Sequence, residues 1–449
     1  MGPDHHFDAP IGEESEWSAK IAAWPPEERR QQGKKLVRKI DVRLLPILFI
    51  MYILNYVDRN ALPQARVQGL EDHIGLQGVQ YNVVLSLTFI GYILWQVPSN
   101  MLLSKVGRPR YYIAGWMIAW GLVSGCSGAV QNFAGMAACR FFLGITEAPF
   151  FVGVAFLFSG WYTRKELGLR LGFFFCAAML SGAFGGLYAA GIAAAFENHR
   201  IASWRWLFIT EGAATMVFGA FTAFLIPDWP ATTKWLKDDE RALGVVRLIE
   251  DAGEEEEDID TKAAAKMAVK DYRVWLCVLG QFCLQAVASL TNFLPTLVKN
   301  FGFDTINTLL LTAPPYIFTV LVCIANTCAR PQKKRAIGLA MNNAIGNLAQ
   351  VWTPYLYPES DGPRYTMAWS VNLALCVVIV VSTTALSFSL KRENRKLNNI
   401  ETDVELSQHE DLGKDPPLDI TCIEHHSEHA VAGRRLGGRW VGATARYDT

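Results

Sequence analysis

Five ionisable residues stand inside stretches that are otherwise apolar: Asp58 and Arg59 in NYVDRNALPQAR, Arg140 and Glu147 in CRFFLGITEAPFF, and Glu211 in WRWLFITEG. An ion in the middle of a membrane span costs on the order of 2.5–3.5 kcal/mol on insertion scales, so such residues face a cavity or a partner. Neighbours on a helix point about 100° apart, so Asp58 and Arg59 cannot neutralise each other and each needs a partner from elsewhere. Arg140 and Glu147 are seven residues apart, which places them on one face, about 10 Å apart along the axis. The chemistry available to this set is recognition and proton exchange. A guanidinium offers a permanently charged fork matched to a carboxylate, and a carboxyl group removed from water can trade a proton as its surroundings open and close. Bond-making chemistry has no such basis here: the sequence contains no metal-ligand cluster, no nucleophile with its base and no phosphate loop, so neither an enzyme nor a cofactor is expected. Cys422, His425, His426 and His429 in the polar tail read as solvated chain and not as a metal site.

The elements that must position these charges are membrane spans. Of the 449 residues 51% are hydrophobic and only 19% charged, and the apolar residues come in long blocks. The formal net charge is zero, with no basic domain to hold nucleic acid. Blocks of about 20 apolar residues predict spans near 42–62, 82–103, 111–130, 133–159, 169–195 and 204–227, then 274–296, 306–329, 337–357 and 367–390. Basic residues gather in Lys34–Lys39, Lys105–Arg110, Arg164–Arg170, Lys333–Arg335 and Lys391–Lys396, all on one side, which places both termini in the cytoplasm. The expected organisation is therefore a cytoplasmic tail (1–41), a six-helix bundle (42–227), a cytoplasmic linker (228–273), a four-span bundle (274–390) and a second cytoplasmic tail (391–449). The linker carries the acidic run EDAGEEEEDID, read as solvated. No cleavable signal peptide is expected, the first span serving as its own signal. The nine cysteines form no CxxC pair and read as small core residues. Gly121 with Gly125, and Gly182 with Gly186, are spaced for close helix contact.

Span 1 runs outward and span 4 inward, so Asp58 and Arg140 should lie at similar depth and form a buried pair, leaving Arg59 and Glu147 to address a cavity. The competing structural reading has Asp58 and Arg59 reaching to water at the interface and Arg140 and Glu147 acting as a helix-packing pair. Glu211 reads first as part of a local network with Arg205.

The chain resembles the anion:cation symporter family of the major facilitator superfamily, in its fungal allantoate, nicotinate and pantothenate permease branch. The motifs that carry the resemblance are RLLPILFIMYILNYVDRNALPQAR, SLTFIGYILWQVPSNMLL, RFFLGITEAPFFVGVAFLFSGWYTRKE, WRWLFITEGAATMVFGAFTAFLIPDWP, KKRAIGLAMNNAIGNLAQVWTPYLY and PRYTMAWSVNLAL. Together they cover most of residues 35–400. The resemblance implies an all-α multi-pass fold of two six-helix halves that rock around a central cavity and carry a small organic anion with protons. Carried over residue by residue, it implies Arg59, with Asn55 and Asn347, as substrate contacts, and Asp58 and Glu147 as proton carriers held apart by Arg140. Lys105, Gly107 and Arg108 match the superfamily loop between spans 2 and 3, and these with Glu211 are assigned structural or gating roles. The expected setting is a monomer in the plasma membrane whose partners are the anion, protons and lipid.

Two departures stand out. Asn100 and Ser104 occupy the glycine and aspartate places of that loop, which leaves the usual gating ion pair without its acid. In NTCARPQKKRAIG, Arg330 runs almost directly into Lys333, where the family has a loop and two further helices, so the second half is expected to be a shortened four-helix bundle that exposes Asn342, Asn343 and Asn347 to lipid or a groove. The functional expectation is a proton-coupled symporter of a small carboxylate. The alternative is a truncated, non-transporting membrane protein: a splice form, a shortened gene model, or a sensor or binding protein.

Overall fold

The computed structural model describes residues 13–103, 108–197, 199–253, 266, 269–316, 345–358, 361–362 and 364–412. Its elements in order are α1 (Glu13–Ala22), α2 (Pro26–Val67), α3 (Leu70–Ile74), α4 (Gln80–Leu103), α5 (Pro109–Ser127), α6 (Phe133–Ser159), α7 (Arg164–Ala195), α8 (Ser203–Leu225), α9 (Asp238–Gly253), α10 (Tyr272–Ala288), α11 (Leu294–Lys299), α12 (Thr305–Leu311) and α13 (Thr366–Leu412), with short 3₁₀ turns between. The described chain is all-helical. Seven of its helical segments are long and apolar enough to cross a membrane. Helix α5 falls outside that group although it packs between α6 and α8; its 19 residues are diluted by Tyr, Trp, Ser and Gly. Residues 317–329 of expected span 8 and 337–344 of expected span 9 lie outside the described residues, as do Asn342, Asn343 and the junction at Lys333.

The expected start of the membrane region at residue 42 falls inside one uninterrupted helix. Helix α2 has 42 residues, about 63 Å. It opens with Pro26 in its first turn, where no amide hydrogen bond is lost. Leu36, Ile40, Leu44 and Leu48 recur every four residues and are all buried, so a single apolar face carries the helix out of the lipid and onto α9 and α7. Linker helix α9 docks against α1 and α2 through Lys20–Asp239 (2.6 Å), Lys39–Glu240 (2.6 Å) and Arg29–Glu250. Trp235 stacks on Trp161 under Arg43. The linker is therefore partly built into the basic end of the first bundle, while the acidic run 254–260 lies outside the described residues.

Close backbone approach sets the helix pairs that matter for the site. A Cβ on Gly144 of α6 would run into the Thr88 carbonyl of α4, and one on Gly91 into the Phe141 carbonyl, so the α4–α6 contact is built from glycine on both sides. Helices α5 and α8 meet the same way: a Cβ on Gly121 would stand 2.9 Å from the Gly212 carbonyl, and one on Gly212 would strike Gly125. The glycine spacing read from the sequence is thus a packing device. Gly182 and Gly186 serve the contact between halves, where they receive Tyr316 and Thr312. That contact lies at the end of the bundle remote from the basic loops. There Lys299 Nζ donates to the Val67 carbonyl (2.9 Å), Ser86 to the Val351 carbonyl (2.6 Å), and Phe293 stacks on Tyr357 and meets the Tyr81 ring edge-on.

Candidate functional site

Helix α2 delivers Asn55, Asp58 and Arg59 into the middle of the first bundle, and the angle between adjacent side chains sends the two charges to different seams. Arg59 turns toward α4 and α6. Its Nε donates to Glu147 Oε1 at 2.5 Å, and Asn55 Nδ2 donates to the same oxygen at 2.5 Å. The guanidinium lies over the rings of Tyr56 (5.3 Å) and Tyr92 (4.9 Å), which adds cation–π attraction to the ion pair. The glycine contact of α4 with α6 is what brings Tyr92 and Glu147 to the same guanidinium. Arg59 keeps 21% of its side-chain surface, Glu147 only 2%. Glu147 Oε2 is buried with no hydrogen-bond partner among the described residues. The ensemble is a permanently positive group, partly open, whose counter-charge comes from a single carboxylate oxygen.

Asp58 turns the other way, into the α5–α8 seam. Trp120 Nε1 and Thr215 Oγ1 (3.4 Å) donate to Oδ2, and Ser124 Oγ donates to Oδ1 at 2.6 Å. The expected Asp58–Arg140 ion pair is not formed. The close α5–α8 approach already surrounds Asp58 with neutral donors, and Arg140 instead lies over the Phe208 ring at 4.9 Å with its Nε unpartnered. Arg140 acts through space on Asp58, Glu147 and Glu211, as a positive charge near all three acids. Glu147 does not stand open to a cavity as expected, since Arg59 and Asn55 hold it.

Glu211 is buried, and among the described residues neither carboxyl oxygen has a hydrogen-bond partner. The expected network with Arg205 is absent: residues six apart leave a helix on different faces, and Arg205 donates to the Gly128 carbonyl (2.9 Å) and covers Trp204. Asn347 is also corrected. It is buried, not exposed to lipid or a groove, and accepts from Gln285 (3.2 Å) in the second half. Lys105 and Gly107 lie outside the described residues, and Arg108 is exposed at the start of α5. Arg110 pairs with Asp228 at 2.9 Å, joining the start of α5 to the chain after α8. Burial pushes the Asp228 carboxyl up, and the charge of Arg110 offsets only part of that. On the same end Arg170 grips Asp41 with two hydrogen bonds of 2.7 Å.

Sequence reasoning missed Trp120, Ser124, Thr215 and Tyr92. Trp120 and Ser124 are four residues apart inside an apolar span, so a polar stripe on α5 was the available signal.

A sequence model of the Major Facilitator Superfamily matches residues 48–390. The chain is 34% identical over 344 residues to the MFS transporter prlL of a fungal species (strain NRRL 50135), covering 75% of this chain and 69% of that protein. It is 33% identical to the MFS-type transporter cnsO of Penicillium expansum, covering 74% of this chain and 66% of the relative. The chain thus spans about two thirds of the length of these relatives. The crystal structure of a D-xylose–proton symporter superposes with a TM-score of 0.53 at 13% identity, over 76% of this chain and 96% of that one. The spans, the glycine-built helix pairs and these matches agree, and the chain belongs to the Major Facilitator Superfamily.

Proposed function

We propose that the chain is a proton-coupled secondary transporter of a small organic anion, of the anion:cation symporter type, working by alternating access in the plasma membrane with its basic loops in the cytoplasm. The observation that carries this reading is the Arg59–Glu147–Asn55 ensemble, in which one buried carboxylate neutralises one partly open guanidinium. An arriving carboxylate and Glu147 compete for the same fork. Protonation of Glu147 removes its charge and frees Arg59, so proton and anion bind together and neither is carried alone. Asp58, with its three neutral donors, is the second proton site, and Arg140 between Asp58 and Glu211 biases which acid holds the proton. The contact between the halves at the end remote from the basic loops supports a state closed outside. Each excess positive charge carried inward gains about 2.3 kcal/mol per 100 mV of inside-negative potential.

The substrates named by the family resemblance are nicotinate, allantoate and pantothenate, all carboxylates. Uptake of these three, labelled, into cells or proteoliposomes with an inward proton gradient tests the reading. Accumulation that collapses with the gradient and in Glu147→Gln supports it; absence of uptake and of any anion binding refutes it. The sequence junction at Arg330–Lys333, where the resembled family has two further helices, favours the second reading, a membrane protein that binds without transporting. That reading is distinguished by anion binding without accumulation.

A further inference from the structure

At the basic end of the first bundle a cavity of about 740 Å³ opens between the start of α2, linker helix α9 and the turn into α7. Its lining contains Arg29, Arg30, Lys34, Arg38 and Arg247, against only Asp41 and Glu166. Both acids are already engaged, Asp41 by two hydrogen bonds from Arg170 and Glu166 by Arg247 at 3.1 Å. Arg29 is paired with Glu250. Arg30, Lys34 and Arg38 have no acid partner among the described residues, and at intervals of four they form one stripe on α2, rising about 6 Å per step. Arg247 closes the inner wall as a fixed guanidinium. Its two Nη atoms donate to Glu166 and to the Trp161 carbonyl (2.5 Å), and its buried Nε has no partner. Trp24, Val37 and Leu243 supply apolar wall.

We propose that this cavity binds a compact polyol bearing several phosphate groups, the chemistry shared by the headgroup of a phosphorylated inositol phospholipid and by soluble inositol polyphosphates. A single carboxylate or phosphate would satisfy one step of the stripe and leave the others uncompensated; several phosphates on one ring meet all three. The volume lies in the range of small-molecule sites. The position suits a membrane-presented ligand as well, because Arg38 is about 6 Å along the helix from Val42, where the apolar span begins, and clusters of four or more Lys or Arg beside a span attract phosphoinositides. Since the same cavity is walled by the linker and by the start of α7, an occupant would clamp α9 to the first bundle.

The test uses the full chain, in detergent for inositol hexakisphosphate and in phosphatidylcholine nanodiscs with either phosphatidylinositol bisphosphate or phosphatidylserine at equal total charge. Binding of the soluble probe, of the phosphoinositide in preference to phosphatidylserine, or of both supports the site and identifies the source. Arg30→Gln/Lys34→Gln/Arg38→Gln is expected to weaken binding at least tenfold, whereas Lys35→Gln/Lys391→Gln/Arg392→Gln, which removes three exposed charges outside the cavity, changes it less than twofold. If the triple variant does not fold, Lys34→Gln alone is expected to cost about fivefold, the worth of one lysine at an anionic surface. Equal losses in the two triples, or equal binding of the two lipids without binding of the soluble probe, overturn the proposal. So does failure of the wild type to bind any probe.

Discussion

Replacing Glu147 by Gln isolates the competition on which the proposed coupling rests. The Gln carbonyl can still accept from Arg59 Nε and Asn55 Nδ2, both 2.5 Å from Oε1 in the wild type, and the new amide occupies the place of Oε2, which has no partner to lose. The geometry therefore survives while the charge does not. Two unit charges about 4 Å apart interact by roughly 4 kcal/mol at an effective dielectric of 20, which is the ceiling on what Glu147 withholds from an incoming anion. Recovered hydration and the retained neutral hydrogen bonds offset part of it. An increase in carboxylate affinity of about 10- to 100-fold is the working expectation, roughly 1.4–2.8 kcal/mol. The wild type should approach the same affinity as the pH falls and Glu147 takes up its proton, and the variant should bind with little dependence on pH from this group. Calorimetric titration of purified protein with nicotinate at pH 8 and pH 5 reads both, normalised to the folded fraction, because removing one member of a buried pair can itself destabilise by about 3–5 kcal/mol. Accumulation driven by a proton gradient should be lost while exchange of labelled for unlabelled anion persists. Unchanged or weaker binding in Glu147→Gln, or a pH dependence identical to that of the wild type, would refute the competition.

Asp58→Asn should fold normally, because its amide oxygen, in the place of Oδ2, can accept from Trp120 and Thr215 while Ser124 rotates to accept from the new NH₂ in the place of Oδ1; Asp58→Leu strands Trp120 Nε1 and should cost about 1–3 kcal/mol, read as a fall in melting temperature. Gly144→Ala drives a methyl group into the Thr88 carbonyl and should destabilise by about 1–3 kcal/mol or more, with a melting temperature at the wild-type value counting against the α4–α6 packing described. Glu211→Gln breaks no hydrogen bond and should leave thermal stability unchanged or raised; a drop of several degrees would reveal a partner. At the linker, burial acts to raise the Glu240 carboxyl, but the Lys39 side chain, the Lys237 amide and the charges of both lysines outweigh it and hold the group below its ordinary value. Its contribution to docking of α9 is thus present above an ordinary pKa of about 4.3 and lost as the pH falls through the lowered value of the folded state. Hydrogen exchange of α9, corrected for intrinsic rate, should increase below that range in the wild type and show a smaller pH step in Glu240→Gln.

The first bundle was legible in the sequence because its determinants are local. Apolar length fixed the spans, basic loops ordered them, and glycines four apart announced close contacts that α5 makes with α8 and α7 with the second half. The ionisable residues could be singled out for the same reason, each being conspicuous against apolar neighbours. Their pairing could not be read, because it depends on which seam each side chain enters. Depth alone suggested Asp58 with Arg140; the glycine contacts instead bring α5 and α8 near enough to wrap Asp58 in Trp120, Ser124 and Thr215, and bring α4 and α6 together so that Glu147 meets Arg59. The extension of the helix into the polar tail preceding span 1 has a related reason. Charged residues dominate its composition, but Leu36 and Ile40 continue the four-residue apolar register of Leu44 and Leu48, and periodicity prevails over composition in deciding that the helix continues.

Separation of the two carboxylates into different seams has a mechanistic consequence. A carboxylate pair sharing one site would titrate as a unit, and its proton would not report whether Arg59 is occupied. Among the described carboxylates only Glu147 touches Arg59, so in the proposed coupling its protonation would be tied directly to anion binding, whereas Asp58 sits in the α5–α8 seam, behind neutral donors that need not move when an anion arrives. Arg140, unpartnered at Nε and placed between Asp58 and Glu211, links the second seam to the first only through its field. Arg140→Gln should therefore alter the pH dependence of transport more than the affinity for the anion at a pH where Glu147 is neutral. The opposite ranking, a large loss of affinity with an unchanged pH profile, would place Arg140 in contact with substrate and require a different arrangement of roles.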